Sequence, residues 1–479
     1  MSSQYPADLT FYLNRMNGWA CNAVKLNPVG SNNEIAPSSL IEVELPQNTL
    51  INLSSLAMNF RAKFTGTTTC FVPRWFPNTM IKRVEVQVNG ITLSAGSNNY
   101  ASVYSMLASV TCPEDFCRYM SLNGGGQPTG APPYLTADMG ALATTLQPYY
   151  ATTNWIGFLG SSQWLNSGLL GSVRVRIQLH SAEILNQTGA DGDATFQLND
   201  LDFSVQVASL DDGLYQQALL ERLASGQQVS YPFKGYYTFE QNNTGTSASI
   251  KGTLSSSSVD RVTGVLRSTK YNDHTIVSTI GTAYQSGTTP FFTFCGRAYA
   301  AAAQDVMQAG IDAQHTTADL NSWQFLINSN FSPNYLVQTS GSQGGKNAIE
   351  TRRSYGTQTD VMGGDLLNYS QNAMYPYLDG TAGGIDCFGA AFGAGGAAAV
   401  KRGDQVAQAH NHINNACISS VPLEYVGGQD RLVSGSNFRG SVGVIYWNIN
   451  TSGANNAMLV VEVTSVLKVG SGGSAELVV

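Results

Sequence analysis

Pro422–Val479, PLEYVGGQDRLVSGSNFRGSVGVIYWNINTSGANNAMLVVEVTSVLKVGSGGSAELVV, reads as three strands separated by turns. Leu432-Val433-Ser434-Gly435-Ser436-Asn437 precedes the apolar run Val442 to Ile449. Met458 to Val469 then carries an almost unbroken row of apolar and β-branched residues. An equivalent block closes the first half of the chain. There Val173, Val175, Ile177 and Leu179 alternate with Arg174, Arg176, Gln178 and His180. After a turn at Asp191-Gly192-Asp193, Leu201, Phe203, Val205 and Val207 alternate with polar partners. A period of two marks strands with one buried and one wet face. Two such blocks, each closing half of the chain, imply one β-sandwich built twice.

Working outward, Leu40 to Leu45 forms a run ended by Pro46. Leu56, Met58, Phe60, Ala62 and Phe64 make a half-buried strand. Val84, Val86 and Val88 lead into Asn89-Gly90 and then Ile91 and Leu93. Asn-Gly between apolar runs predicts a hairpin, because both residues tolerate positive φ. Between Cys112 and Trp164 the pattern breaks at Gly124-Gly125-Gly126, Pro128 and Pro132-Pro133, which reads as an excursion from the sandwich before pairing resumes at Val173. At Asp211 the period changes: Asp211 or Asp212 caps a helix through Leu214, Leu219, Leu220 and Leu223, stopped by Gly226. The second half starts with Tyr231 to Phe239, and a further helix is expected from Asn347 to Tyr355.

The expected organisation is an irregular N-terminal arm over 1–35, a first sandwich over 36–210, a connecting helix over 211–225 and a second sandwich over 226–479. The arm packs on its own domain or reaches a neighbouring subunit. Large insertions are expected at about 290–335, around the Ala300 to Ala303 run, and at 380–415, rich in glycine.

The 479 residues exceed one ordinary core. Charged residues make up 12%, about half the ~25% typical of soluble domains. Ser, Thr, Asn, Gln and 49 Gly take their place, beside 22 Tyr and 19 Phe. Such a surface suits a protein that hides much of its exterior against neighbours, or a secreted β-protein with a Ser/Thr-rich coat. The net charge is −7, and the only adjacent basic pairs are Lys82-Arg83, Arg352-Arg353 and Lys401-Arg402. Direct nucleic-acid binding, which needs clustered Lys and Arg, is not expected. Met1 to Met16 lacks a basic region followed by an apolar core, and no window approaches ~20 apolar residues. Neither a signal peptide nor a membrane-spanning helix is expected, and the chain reads as intracellular when made. The seven cysteines (Cys21, Cys70, Cys112, Cys117, Cys295, Cys387, Cys417) read as reduced thiols.

No catalytic residue, cofactor site or metal site is nominated. Phosphate-loop, zinc-protease and nucleophile-elbow motifs are missing. Gly389-Ala-Ala-Phe-Gly393 lacks a strand–helix setting and reads as a loop. Cys112 and Cys117 have no second ligand pair. His410 and His412, with Asp404 nearby, fall short of three converging ligands, while His180, His274 and His315 stand alone. No carboxylate pair suits glycoside hydrolysis.

In order along the chain, four landmarks resemble the double jelly-roll major capsid proteins of double-stranded DNA viruses. They are Phe76 to Gly90 followed by Tyr100 and Tyr104; Asp200 to Leu210 with the Leu214–Leu223 helix; Gln324-Phe325-Leu326-Ile327-Asn328 with Pro333 and the Asn347–Tyr355 helix; and Leu432 to Asn437 with the closing Val460–Val479 strands. The likeness spans 36–479 and leans towards polinton-like viruses and virophages. The NPQITFFK-like opening of large nucleocytoplasmic viruses has no counterpart, since Asn27-Pro28-Val29-Gly30 stands there. The resemblance implies an all-β fold of two tandem eight-stranded jelly rolls with a connecting helix and long loop insertions. It implies a structural shell protein, not an enzyme, that forms homotrimeric pseudo-hexagonal capsomers and tiles an icosahedral virion. Implied partners are neighbouring capsomers, minor capsid, cement or penton proteins, and an internal membrane reached by the arm. The rival reading is a carbohydrate-binding β-sandwich using Trp155 and Trp164.

Overall fold

The computed structural model describes residues 19–30, 34–65, 70–71, 77–93, 99–111, 149–161, 164–187, 195–210, 213–267, 320–339, 344–355, 418–423, 435–439, 443–451, 455–470 and 474–479. The first half runs β1 (Trp19–Leu26), β2 (Glu34–Ile35), β3 (Leu40–Glu44), β4 (Leu50–Thr65), β5 (Cys70–Phe71), β6 (Ile81–Val88) and β7 (Ile91–Thr92). Helix α1 (Tyr100–Thr111), β8 (Tyr149–Thr152), β9 (Trp164–Asn166), the one-turn α2 (Ser167–Leu170), β10 (Val173–Leu179), β11 (Asn186–Gln187) and β12 (Thr195–Leu210) follow. Helix α3 (Gly213–Ala224) leads to β13 (Val229–Asn243), β14 (Ser247–Leu254), β15 (Val259–Arg267), β16 (Leu320–Ile327) and β17 (Asn330–Gln338). Helix α4 (Gly344–Tyr355), β18 (Ile418–Pro422), β19 (Gly443–Thr451), β20 (Asn455–Val469) and β21 (Ala475–Val478) complete the second half.

The two halves share one wiring. In the first, β1-β12-β4-β8 forms one sheet, with β2 on β12 and β9 on β4, and β3-β10-β6-β7 forms the other. In the second, β13-β20-β15-β18 and β14-β19-β16-β17 are the sheets, with β21 added on β20. With β1/β2 and β8/β9 each counted as one broken strand, both halves have strand order 1-8-3-6 facing 2-7-4-5. All pairings are antiparallel. This order is the jelly roll, eight strands in two sheets.

Local chemistry explains the strands. In β10 the valines, Ile177 and Leu179 are buried while arginines and Gln178 face outward. At the β6–β7 hairpin Asn89 and Gly90 have φ of 48° and 83°, the mirror-image turn that matches strand twist. Phe60, Phe203, Val86 and Ile177 meet in the first core. In the second, Trp323, Phe325 and Trp447 pack on Val262 and Val461. The Phe325 and Trp447 rings stack at 6.1 Å.

Three expectations need correction. Residues 1–35 are not wholly an irregular arm: Trp19–Leu26 is edge strand β1, paired along its length with β12. Of its described side chains, Val24 and Leu26 pack against the core, and Ala20 to Ala23 are exposed, so its apolar period is short. The insertion placed at 290–335 ends before Leu320, because β16 buries Trp323, Phe325 and Ile327 at alternate positions. Pairing also returns before Val173, in β8 and β9 on β4.

Candidate assembly surface

The two rolls meet in an apolar joint. Tyr231 and Phe233 of β13 and Leu467 and Val469 of β20 belong to the first roll's core cluster. The Phe233 ring stands edge-on to Phe158 at 5.2 Å, within the 3-10 turn Gly157–Gly160. Helix α1 sets Val103 and Met106 against Val265, Ile418, Met458 and Val460. At its start, the Asn99 amide donates to Glu240 Oε1 (2.7 Å) and Thr238 Oγ1 (3.2 Å). A cavity of about 50 Å³ remains in the joint, lined by Leu93, Tyr100 and Ile156 on one side and Tyr236 and Leu477 on the other. Because the joint covers its outer face, β20 is buried on both faces from Ala457 to Val463.

Beside the joint lies a buried polar network that seats α4. The fully buried Asp260 carboxylate accepts from Lys234 Nζ (2.8 Å), Ser258 Oγ (2.8 Å) and Thr464 Oγ1. Lys234 also lies 3.4 Å from Glu462, whose other oxygen accepts from Arg261 at 2.9 Å. Two cations thus balance two carboxylates, the condition under which burial of charge is tolerated. Arg261 Nε donates to the Ser354 carbonyl of α4 (2.9 Å), and its guanidinium lies 4.1 Å from the Tyr355 ring centre. Tyr355 Oη and Thr263 Oγ1 share a 2.8 Å hydrogen bond. Burial, with Glu462 nearby, pushes the Tyr236 hydroxyl well above the usual tyrosine range. Trp323 Nε1 donates to Asn347 Oδ1 (2.8 Å), fixing the other end of α4.

On its far side α4 is open. Ile349 is 49% exposed, and neighbouring β17 exposes Phe331 (53%), Leu336 (49%) and Tyr335, whose hydroxyl bonds buried Glu350. Strand β17 is the outer strand of its sheet. A patch of large apolar side chains on an edge strand is a candidate protein–protein contact. Ala20, Cys21, Asn22 and Ala23 of β1 are also exposed and carry no charge. Leu220 of α3, Val29 and Leu40 are further exposed apolar positions.

The sequence-derived candidates fall apart in space. Trp155 is buried and donates to the Leu56 carbonyl (2.7 Å), so it cannot serve as a glycan platform; Trp164 is 39% exposed. His180 follows β10, its backbone bonded to Met80 and Ser38. Burial, then Lys82, lowers its imidazole pKa to about 4. Cys112, Cys117, His274, His315, Asp404, His410, His412, Gly389–Gly393 and the 380–415 insertion lie outside the described residues, as do residues 1–18 and Asp191–Asp193. Among the described residues, no three His, Cys, Asp or Glu converge as a metal site, and no helix is long and apolar enough to cross a membrane. The joint and the β17–α4 patch were not nominated from sequence; the alternation at Trp323, Phe325 and Ile327, running up to an exposed Phe331, was the signal present.

No family model matches the sequence, and no curated protein matches it. Solved structures do match, over nearly the whole chain. The PBCV-1 virus capsid superposes with TM-score 0.56 at 11% identity, covering 96% of this chain and 97% of that one. The Faustovirus major capsid protein gives 0.53 at 9% identity over 94% and 91%. The Sputnik virophage structure gives 0.52 at 11% identity over 97% and 89%. At such identities the likeness is one of fold, and it runs through both rolls. The chain has the double jelly-roll fold of these viral capsid proteins.

Proposed function

We propose that this chain is the structural major capsid protein of an icosahedral double-stranded DNA virus, acting in the virion and not as an enzyme. The observation that carries the reading is the pair of identically wired rolls, joined by an apolar core, matching capsid proteins along their length. Three copies supply six rolls and form a pseudo-hexagonal homotrimer, which tiles the shell with neighbouring capsomers and with minor capsid, cement or penton proteins.

The low charge supports a chain that buries much of its surface, since interface cores are depleted in charge. The carbohydrate-binding alternative loses support because Trp155 is internal. Native mass by light scattering tests the reading. Three times the chain mass of 51.1 kDa, or larger shells, is expected. A monomer at every protein and salt concentration would overturn it.

A further inference from the structure

We propose that Lys234 and Asp260 join through an isopeptide bond that the folded chain makes by itself, with Glu462 carrying the protons. The inference does not depend on the capsid reading, because it rests on side chains of the second roll alone.

Three neighbouring strands place the groups. Strand β20 lies between β13 and β15. Lys234 of β13 stands opposite Thr464 of β20, and Glu462 lies two residues before Thr464, on the same face. On β15, Val259 pairs Val463 and Arg261 pairs Glu462, so Asp260 is the extra residue of a β-bulge. A bulge re-aims the side chain it carries. Here Val259 enters the core, while Asp260 turns to the other face and meets Lys234 and Thr464.

Each part of an amide-forming site is present. The nucleophile, Lys234 Nζ, lies 2.8 Å from Asp260 Oδ2, which brings it close to the approach of about 3–3.5 Å that bond formation at Cγ requires. The electrophile, the Asp260 carboxyl, is fully buried, and the water that would reverse a condensation is kept from it. Ser258 Oγ donates to Oδ1 at 2.8 Å, and Thr464 Oγ1 donates to Oδ2. Fixed donors of this kind stabilise the charge of a tetrahedral intermediate. Glu462 Oε1 lies 3.4 Å from Nζ, in place to relay protons, while Arg261 anchors its other oxygen at 2.9 Å.

The condensation balances. Glu462 takes a proton from the Lys234 ammonium, and the freed amine attacks Asp260 Cγ. A second Nζ proton follows the same route. Both protons reach Oδ2, the Cγ–Oδ2 bond breaks, and that oxygen leaves as water. One proton stays on the amide nitrogen, and Oδ1 becomes the amide oxygen held by Ser258. The ammonium and carboxylate charges vanish together, and nothing is oxidised or reduced. The bond ties β13, whose Tyr231 and Phe233 fill the joint, to β15 across β20.

Mass spectrometry of the full-length chain, purified folded and then denatured, tests this. The wild type is expected to weigh one water less than its sequence. Its tryptic digest is expected to contain a branched peptide in which 223–251, uncut at Lys234, is joined to 252–261. Lys234→Arg and Glu462→Gln are each expected to keep the full mass of their sequences and to yield only linear peptides. A folded wild type that keeps its full mass after prolonged incubation overturns the proposal, whether or not any variant folds. A missing water located within linear 252–261, as a ring closed at Asp260, overturns it equally. A Glu462→Gln chain that forms the branch as fast as wild type overturns the role given to Glu462.

Discussion

At Gly264 of β15 an added Cβ would lie 2.4–2.6 Å from three atoms of the Trp447 indole. The glycine lets Trp447 lie flat on the backbone and stack on Phe325. Gly264→Ala therefore overpacks the second core, with an expected loss of about 1–3 kcal/mol in a urea titration. Asp260 fails in the opposite way. Asp260→Ala takes the acceptor from Ser258 Oγ and Thr464 Oγ1 inside the core and leaves half-exposed Lys234 to Glu462 alone, with an expected cost of about 1–3 kcal/mol. A melting temperature within a degree of wild type would refute the role given to the network. His180 provides a pH signature. The folded chain holds it neutral down to about pH 4, whereas the unfolded chain protonates it from 6.5. Its contribution is therefore complete above 6.5, is lost as pH falls from 6.5 to 4, and declines no further below 4. At about 1.4 kcal/mol per pKa unit the loss reaches at most about 3 kcal/mol. His180→Gln is expected to flatten the stability profile across that window, measured as urea midpoints at half-unit pH steps.

Among elements, legibility follows the difference between the two faces of a strand. Strands β4, β6, β10 and β12 carry apolar residues on one side and polar ones on the other, and their alternation is plain in the sequence. Strand β1 escaped because most of its described side chains are exposed, leaving no period to read. Strand β16 was absorbed into a supposed insertion because an alanine-rich stretch upstream masked the alternation of Trp323, Phe325 and Ile327. The joint was unreadable for another reason. Phe158 and Phe233 look like ordinary core residues of separate sandwiches, and nothing local says that they touch. Phe233→Ala is expected to cost about 3–5 kcal/mol, as for other buried phenylalanines. Because the lost contact lies between rolls, the variant is expected to split a single thermal transition into two, seen by calorimetry. One sharp transition at a lower temperature would instead make the rolls a single cooperative unit.

For the molecule as a whole, the assembly surface was legible only as composition: few charges and many aromatics without an address. Helix α3 adds a further consequence. It tethers the second roll within reach of the first, so the internal joint forms at a high effective concentration that dilution leaves unchanged. The contact between copies has no tether and obeys mass action. The joint within a chain and the contacts between chains therefore differ in when they open, and dilution releases whole chains, each carrying two rolls locked together.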